Sequence, residues 1–304
     1  MKYLDPKNDL TFKKVFGQHP HLLQSFLNAI LPLPDSTYIE SLEYLPSDMV
    51  PETPLMKYSI VDVRCKDNQG RQFIVEMQMQ WTTSFLQRVL FNASKAYVKQ
   101  LDKAKDYTKL QPVYAINLVN ENFKHDKEDY YHHYQIVNIA DTEEQIEGLE
   151  FVFIELQKFK AKNVSEKKLQ VLWLRFLTEI DENITEAPAE LLASKEINEA
   201  LENLQTSAFT NAELETYDKY WDSVRIEKTI KLESYDVGRA EGEEIGIEKG
   251  IQLKSFKTAI NCIKRGMTDL EISEISELSV DVIIKLRKLF GKYGNDVENH
   301  FDEI

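Results

Sequence analysis

YSIVDVRCKDNQGRQFIVEMQMQ, residues 58–80, reads as two apolar strands, Tyr58 to Cys65 and Arg71 to Gln80, joined by the turn-rich Lys66-Asp67-Asn68-Gln69-Gly70. Side chains on a strand alternate faces with period two, so the parity of the loop decides which residues meet. A loop of three (Asn68 to Gly70) or of five (Asp67 to Arg71) sets Asp62 directly opposite Glu76, whereas an even loop sends them to opposite faces. Opposed Cβ atoms lie roughly 4.5–5.5 Å apart, and like charges placed so repel unless something binds between them. With an odd loop, one face carries Ile60, Asp62, Ile74, Glu76 and Gln78, and the other Val61, Val63, Phe73, Val75, Met77 and Met79. A divalent cation is the ordinary partner for two such carboxylates.

The rest of the 304-residue chain bounds the setting. A hydrophobic content of 42% supports a full core and more than one structural unit. No stretch approaches the ~20 apolar residues of a membrane span, and the start Met-Lys-Tyr-Leu-Asp-Pro lacks the apolar core of a signal peptide. Cys65 and Cys262 stand far apart, which supports neither a disulfide framework nor a cysteine metal site and points to the cytoplasm. The net charge of −14 is uneven: residues 1–120 hold 14 Lys and Arg against 12 Asp and Glu, leaving 23 against 39 for the remainder. The hairpin region at +2 is therefore open to DNA, and the acidity belongs to the C-terminal part.

Asn8 or Asp9 is expected to cap a first helix through Phe16, followed by a helix over His21 to Ile30 that stops at Leu31-Pro32-Leu33-Pro34. Ile39 to Leu45 reads as a strand ahead of the hairpin. Leu86, Val89, Leu90, Ala93, Tyr97 and Leu101 recur at helical spacing, with Arg88, Lys95 and Lys99 off that stripe. Pro112 to Val119, Tyr130 to Val137 and Phe151 to Leu156 read as strands, and the polar Lys124 to Tyr134 and Asp141 to Glu150 as loop. Helix, three strands, helix and strand make an α/β or α+β domain ending near residue 160. His132 and His133, as neighbours on a strand, face opposite ways and cannot chelate together.

Beyond residue 160 the pattern is helical, over Lys167 to Ile180, Lys195 to Leu204 and Asn211 to Tyr235. Three units are expected: 1–160, a helical extension 161–236, and a tail 237–304. Gly238, Gly242, Gly246 and Gly250 recur every four residues. They form either a helix face bearing a closely packed partner, which must offset about 1 kcal/mol per glycine, or a flexible linker. Leu253 to Lys264, a short helix opened by the capping box at Thr268 to Glu271, and Val280 to Phe290 capped by Ser279 complete a helix-turn-helix-like tail. Lys285, Arg287 and Lys288 on the last helix suit DNA, whereas Asp269, Glu271, Glu274 and Glu277 suit self-association equally well.

Asp62, thirteen residues, then Glu76-x-Gln78 on two strands between helices resembles the active-site hairpin of the PD-(D/E)XK nuclease superfamily. Residues 8–17, Asn-Asp-Leu-Thr-Phe-Lys-Lys-Val-Phe-Gly, together with Arg88, Tyr97, Tyr107 and Leu110-Gln111-Pro112-Val113-Tyr114, narrow it to the recombination-promoting nuclease or transposase (Rpn) family. The resemblance covers roughly residues 1–160. It implies a restriction-endonuclease-like αβββαβ core, a mixed central sheet flanked by helices, followed by an all-helical C-terminal region. It also implies Mg²⁺-dependent cleavage of DNA, with Mn²⁺ as a substitute, in recombination or in a protein derived from a mobile element. Asp62, Glu76 and the carbonyl of Met77 would ligate the metal, with Asp9 as an accessory acid. Gln78 stands where the superfamily has lysine; it can orient water but carries no charge, and Arg88 and Lys95 are the candidate cations. A catalytically silent DNA- or protein-binding protein, or one that self-associates through its C-terminal helices, are the alternatives.

Overall fold

A computed structural model describes residues 2–33, 37–49, 59–101, 106–161 and 168–304. It forms two compact units, 1–226 and 227–304.

In the first unit, α1 (Asp9–Gln18) and α2 (Pro20–Ile30) precede β1 (Leu42–Tyr44), β2 (Asp48–Met49), β3 (Ser59–Ile60), β4 (Val63–Asp67) and β5 (Gln72–Gln78). Next come α3 (Phe85–Val98), β6 (Val113–Val119), β7 (Tyr131–Asn138) and β8 (Asp141–Glu155), then α4 (Lys168–Glu179), α5 (Ala189–Leu192), α6 (Lys195–Asn203) and the start of α7 (Asn211–Lys264). Six strands make one mixed sheet in the order β1-β4-β5-β6-β8-β7. The hairpin strands are antiparallel, while β5, β6 and β8 run parallel. Helices cover both faces, as the expected fold requires. One core joins Phe16, Phe26, Trp173 and Phe176 to the Val63, Phe73, Val75, Ile116 and Ile154 face, and a second packs Phe85, Val89, Ala93 and Ala96 of α3 on Ile74, Val113, Ala115 and Phe153.

Turn chemistry fixes the hairpin. Asp67 is buried, and its carboxylate accepts from the Gln69 and Arg71 backbone N–H groups and from Arg71 Nε at 2.6 Å. Gly70, at φ +87°, closes the turn by donating its N–H to the Asp67 carbonyl, a left-handed conformation that glycine adopts without the Cβ penalty. The loop is thus the three residues Asn68 to Gly70, and Val63 faces Val75, Arg64 faces Ile74 and Cys65 faces Phe73. The ladder stops at Val63 and Val75; next along the two chains come Asp62 and Glu76, which interact through their charges.

Several expectations change. The first hairpin strand is not continuous: the chain bends at Asp62 between β3 and β4. Val61 therefore joins the α3-side core with Ile74 rather than the core containing Val63; the Ile60 side chain and Tyr58 lie outside the described residues. Leu86 and Leu90 are exposed, because α3 buries Asn92 and Lys95 beside Val89 and Ala93, a face whose polar members hide it from a hydrophobic count. Asp141 to Glu150 is strand, not loop, paired with β7 across a tight turn, and its polarity reflects exposure on both faces. His132 pairs with Glu155 at 2.7 Å and His133 with Glu150 at 2.8 Å, so the two rings do go separate ways.

The glycine ladder lies inside α7, which runs unbroken to Lys264. All four glycines are exposed, and a Cβ on any of them would meet nothing within 4 Å. In the second unit the end of α7 packs with α8 (Asp269–Ser276) and α9 (Val280–Tyr293) around Phe256, Ile260, Ile263, Ile272, Ile283 and Leu286. Thr268 makes the full capping box and Ser279 caps α9. Two of the cations of α9 are committed internally: Arg287 to Asp269 at 2.6 Å, and Lys285 to the Ile304 carbonyl at 3.0 Å.

Candidate metal and phosphate site

The site is built where β4 ends and β5 continues. The β4–β5 pairing stops at Val63 and Val75, and the Asp62 side chain takes the next place along β5, where Oδ2 accepts the Met77 N–H at 2.7 Å. Even-numbered residues of β5 bond toward β6, as in the contacts of the Gln72 N–H with Pro112 and of the Gln78 carbonyl with Asn120. An extended residue sends its N–H and C=O to the same edge, so the Met77 carbonyl points to the edge occupied by Asp62.

Glu76 is buried, and its two oxygens have different neighbours. Oε1 accepts from Asn92 Nδ2 at 3.0 Å, and Oε2 lies 3.7 Å from Arg88 Nη2. Asn92, from α3, is 1% exposed, and among the described residues its own Oδ1 has no hydrogen-bond partner. Arg88, also on α3, donates to Gln78 Oε1 and lies over the Phe85 ring, 4.7 Å from its centre. Gln78 Nε2 donates to the Gln80 carbonyl at 2.6 Å. The Gln78 amide is thus tied at both ends, to Arg88 and to the backbone.

The electrostatics follow from burial. Desolvation pushes the Asp62 carboxyl up to about 7; the Met77 N–H works against that shift, and the charges of Glu76 and Asp9 add to it. Burial likewise raises Glu76, opposed by the Asn92 hydrogen bond and then by the Arg88 charge. Two neighbouring carboxyls held above their ordinary range mark a place short of positive charge.

Of the other expected residues, Asp9 is not the helix cap. Asn8 takes that place, its side chain accepting from the Leu10 N–H, while Asp9 in the first turn pairs with Lys13 at 2.7 Å. Lys95 is buried rather than a surface cation, with its Nζ 5.7 Å from the Phe91 ring centre. Desolvation, then Lys99, hold its ammonium below the ordinary lysine value, and it is not among the groups that shift Glu76. Tyr97 is half-buried against the α3-side core.

Two residues near the acids had escaped sequence reasoning. Asn92 sits four residues after Arg88, a spacing that returns to the same helix face, but an Asn within an apolar helix gives no other signal. Lys13 reaches the site from α1: its charge lowers Asp62, and it lines a groove of about 400 Å³ with Gly17, Tyr44, Ser47 and Asp62.

Hard oxygen donors suit Mg²⁺, which binds through one or two carboxylates and keeps water or phosphate oxygens on its other positions. The Asp62 and Glu76 carboxylates and the Met77 carbonyl fit that description. Among the described residues no group of three or more His, Cys, Asp or Glu is placed to hold a metal ion, while Asp9 acts on Asp62 through its charge. Nor, among them, is any helix long and apolar enough to cross a membrane.

A family model described as PD-(D/E)XK nuclease family transposase matches residues 6–229. No curated protein and no solved structure matches the chain.

Proposed function

The chain belongs to the PD-(D/E)XK nuclease family of transposases, and from that premise we propose that it is a Mg²⁺-dependent endonuclease cleaving phosphodiester bonds of DNA in the cytoplasm. The observation that carries this reading is the bend at Asp62. It places one carboxylate against the Met77 N–H beside a second, buried carboxylate, with an arginine at the rim.

When bound, the divalent cation polarises a phosphoryl oxygen and lowers the pKa of its water; Asp62, Glu76 and the Met77 carbonyl would hold it. Asn92 fixes the Glu76 carboxylate by occupying Oε1, leaving Oε2 on the Arg88 side. Arg88 takes over the charge of the lysine that this chain lacks, because its planar fork matches the oxygens of a phosphate. Gln78 then acts by holding that guanidinium in place rather than by orienting water. Lys13, on the other flank, is the second candidate for a phosphate contact. Lys95 has no role in this scheme.

Asp62→Ala should abolish nicking of supercoiled plasmid in Mg²⁺. Equal nicking by the two proteins would sink the catalytic assignment. If neither cuts, yet both bind DNA equally with strong salt dependence, the fold is a silent binder, the alternative that Gln78 keeps open. The exposed glycine ladder of α7 supports self-association of the C-terminal helices as an accompanying property, since close helix packing would offset what four solvent-facing glycines cost.

A further inference from the structure

The β7-β8 ribbon outruns the sheet. β8 pairs with β6 only from Leu149 to Glu155. Residues 141–148 continue past that pairing for about 26 Å, at ~3.3 Å per residue, accompanied among the described residues only by the end of β7. From 133 to 147 every residue is exposed except the half-buried Val137. Among them are Tyr134, Ile136, Ile139 at 96% and Ile146 at 69% exposure. A two-stranded ribbon without a layer on either face is marginal by itself, and large apolar side chains along it call for a partner.

Charge narrows the choice of partner. Tyr134 to Glu147 contains Asp141, Glu143, Glu144 and Glu147 and not one Lys or Arg, which rules out a phosphate backbone as the occupant. The complement lies on the same chain. Leu86, Leu90, Phe91 and Val98 are exposed on α3, and the chain that follows adds two exposed cations outside the nuclease site, Lys99 at the end of the helix and Lys109. The arm springs from the end of this helix, where Gly148, at φ +145°, leaves room for the Tyr97 hydroxyl 3.2 Å from the place of a Cβ. Since the apolar residues of arm and helix are both exposed, the arm does not cover its own helix.

We propose that the acidic, apolar arm of one copy lies on the apolar α3 face of a second copy, its carboxylates toward the lysines that follow that helix, and reciprocally, in a twofold dimer. Such a self-complementary pairing uses each patch twice and closes without further growth. It is independent of the nuclease reading and of the glycine ladder.

The test uses the full chain. Ile139→Cys and Leu90→Cys proteins, mixed and oxidised, should form a disulfide between unlike chains, since the native Cys65 and Cys262 are buried. By light scattering, the wild type should pass from monomer to dimer with concentration, and Ile139→Glu with Ile146→Glu, or Leu90→Glu alone, should shift it toward monomer. These positions are exposed, and circular dichroism checks that each variant is folded. Mixing the arm variant with the helix variant should restore part of the dimer, because that pair retains one intact arm-helix contact. A wild type that stays monomeric at every concentration, or a dimer that neither cross-links nor responds to the substitutions, overturns the proposal.

Discussion

Asp62→Asn removes a charge yet keeps the oxygen that accepts the Met77 N–H, so it isolates the electrostatic cost of the site. The Asp62 carboxyl titrates at about 7 in the fold against an ordinary 3.8. Between those values the folded state holds a proton that the unfolded chain has released, so stability falls as pH rises across the window and is level above it. At about 1.36 kcal/mol per pKa unit the whole gap has a ceiling of roughly 4 kcal/mol, of which roughly 1.5 has accrued by pH 5. Asp62→Asn should therefore exceed the wild type in stability, without metal, by a margin that widens by roughly 2–3 kcal/mol from pH 5 to pH 8. For a unit of this size that is a gap in Tm growing by about 5–10 °C. Calorimetric melts in chelator at both pH values measure it, and saturating Mg²⁺ at pH 8 should narrow the gap by stabilising only the wild type. A margin that does not change with pH, or a wild type more stable than the variant at pH 8, would refute the reasoning that the carboxylate is both desolvated and crowded by Glu76.

Asn92→Ala should weaken Mn²⁺ binding by about 10- to 100-fold, the usual effect of freeing a ligand from its supporting hydrogen bond, and titration calorimetry reads it directly; unchanged affinity would mean that Glu76 is held by other means. Arg88→Ala should slow plasmid nicking by about 100-fold or more while metal affinity stays within a few fold. Gln78→Ala should slow it as well, and the double variant should be little worse than Arg88→Ala, since Gln78 acts through Arg88; additive losses would give Gln78 a separate role. Replacing Gly238, Gly242, Gly246 and Gly250 by Ala should raise the thermal stability of α7 by about 1 kcal/mol per site and weaken tail-mediated association in light scattering. Association left intact would remove the stripe as a contact surface.

The sequence by itself carried those features that depend on nearest neighbours along the chain. Period-two alternation marked the strands and posed the choice between an odd and an even turn; the hydrogen bonds of Asp67 with Gly70 and Arg71 made it odd. Capping residues at Asn8, Thr268 and Ser279 were legible for the same reason, because each acts on backbone groups within three residues of itself. The tertiary structure decided everything that depends on what lies across a face. Only the packed fold shows the bend at Asp62 and Val61 in the α3-side core, Lys95 buried, Asn92 at Glu76 and Gln78 tied to Arg88. The same holds for β8, whose polar half looked like loop because strand pairing comes from β7 while both faces stay in water, and for α7, whose glycines cost helix propensity locally yet do not break the helix. Local pattern specifies backbone conformation and turn. Which side chains meet at a site is set by contacts between residues distant in sequence, and no single segment encodes them.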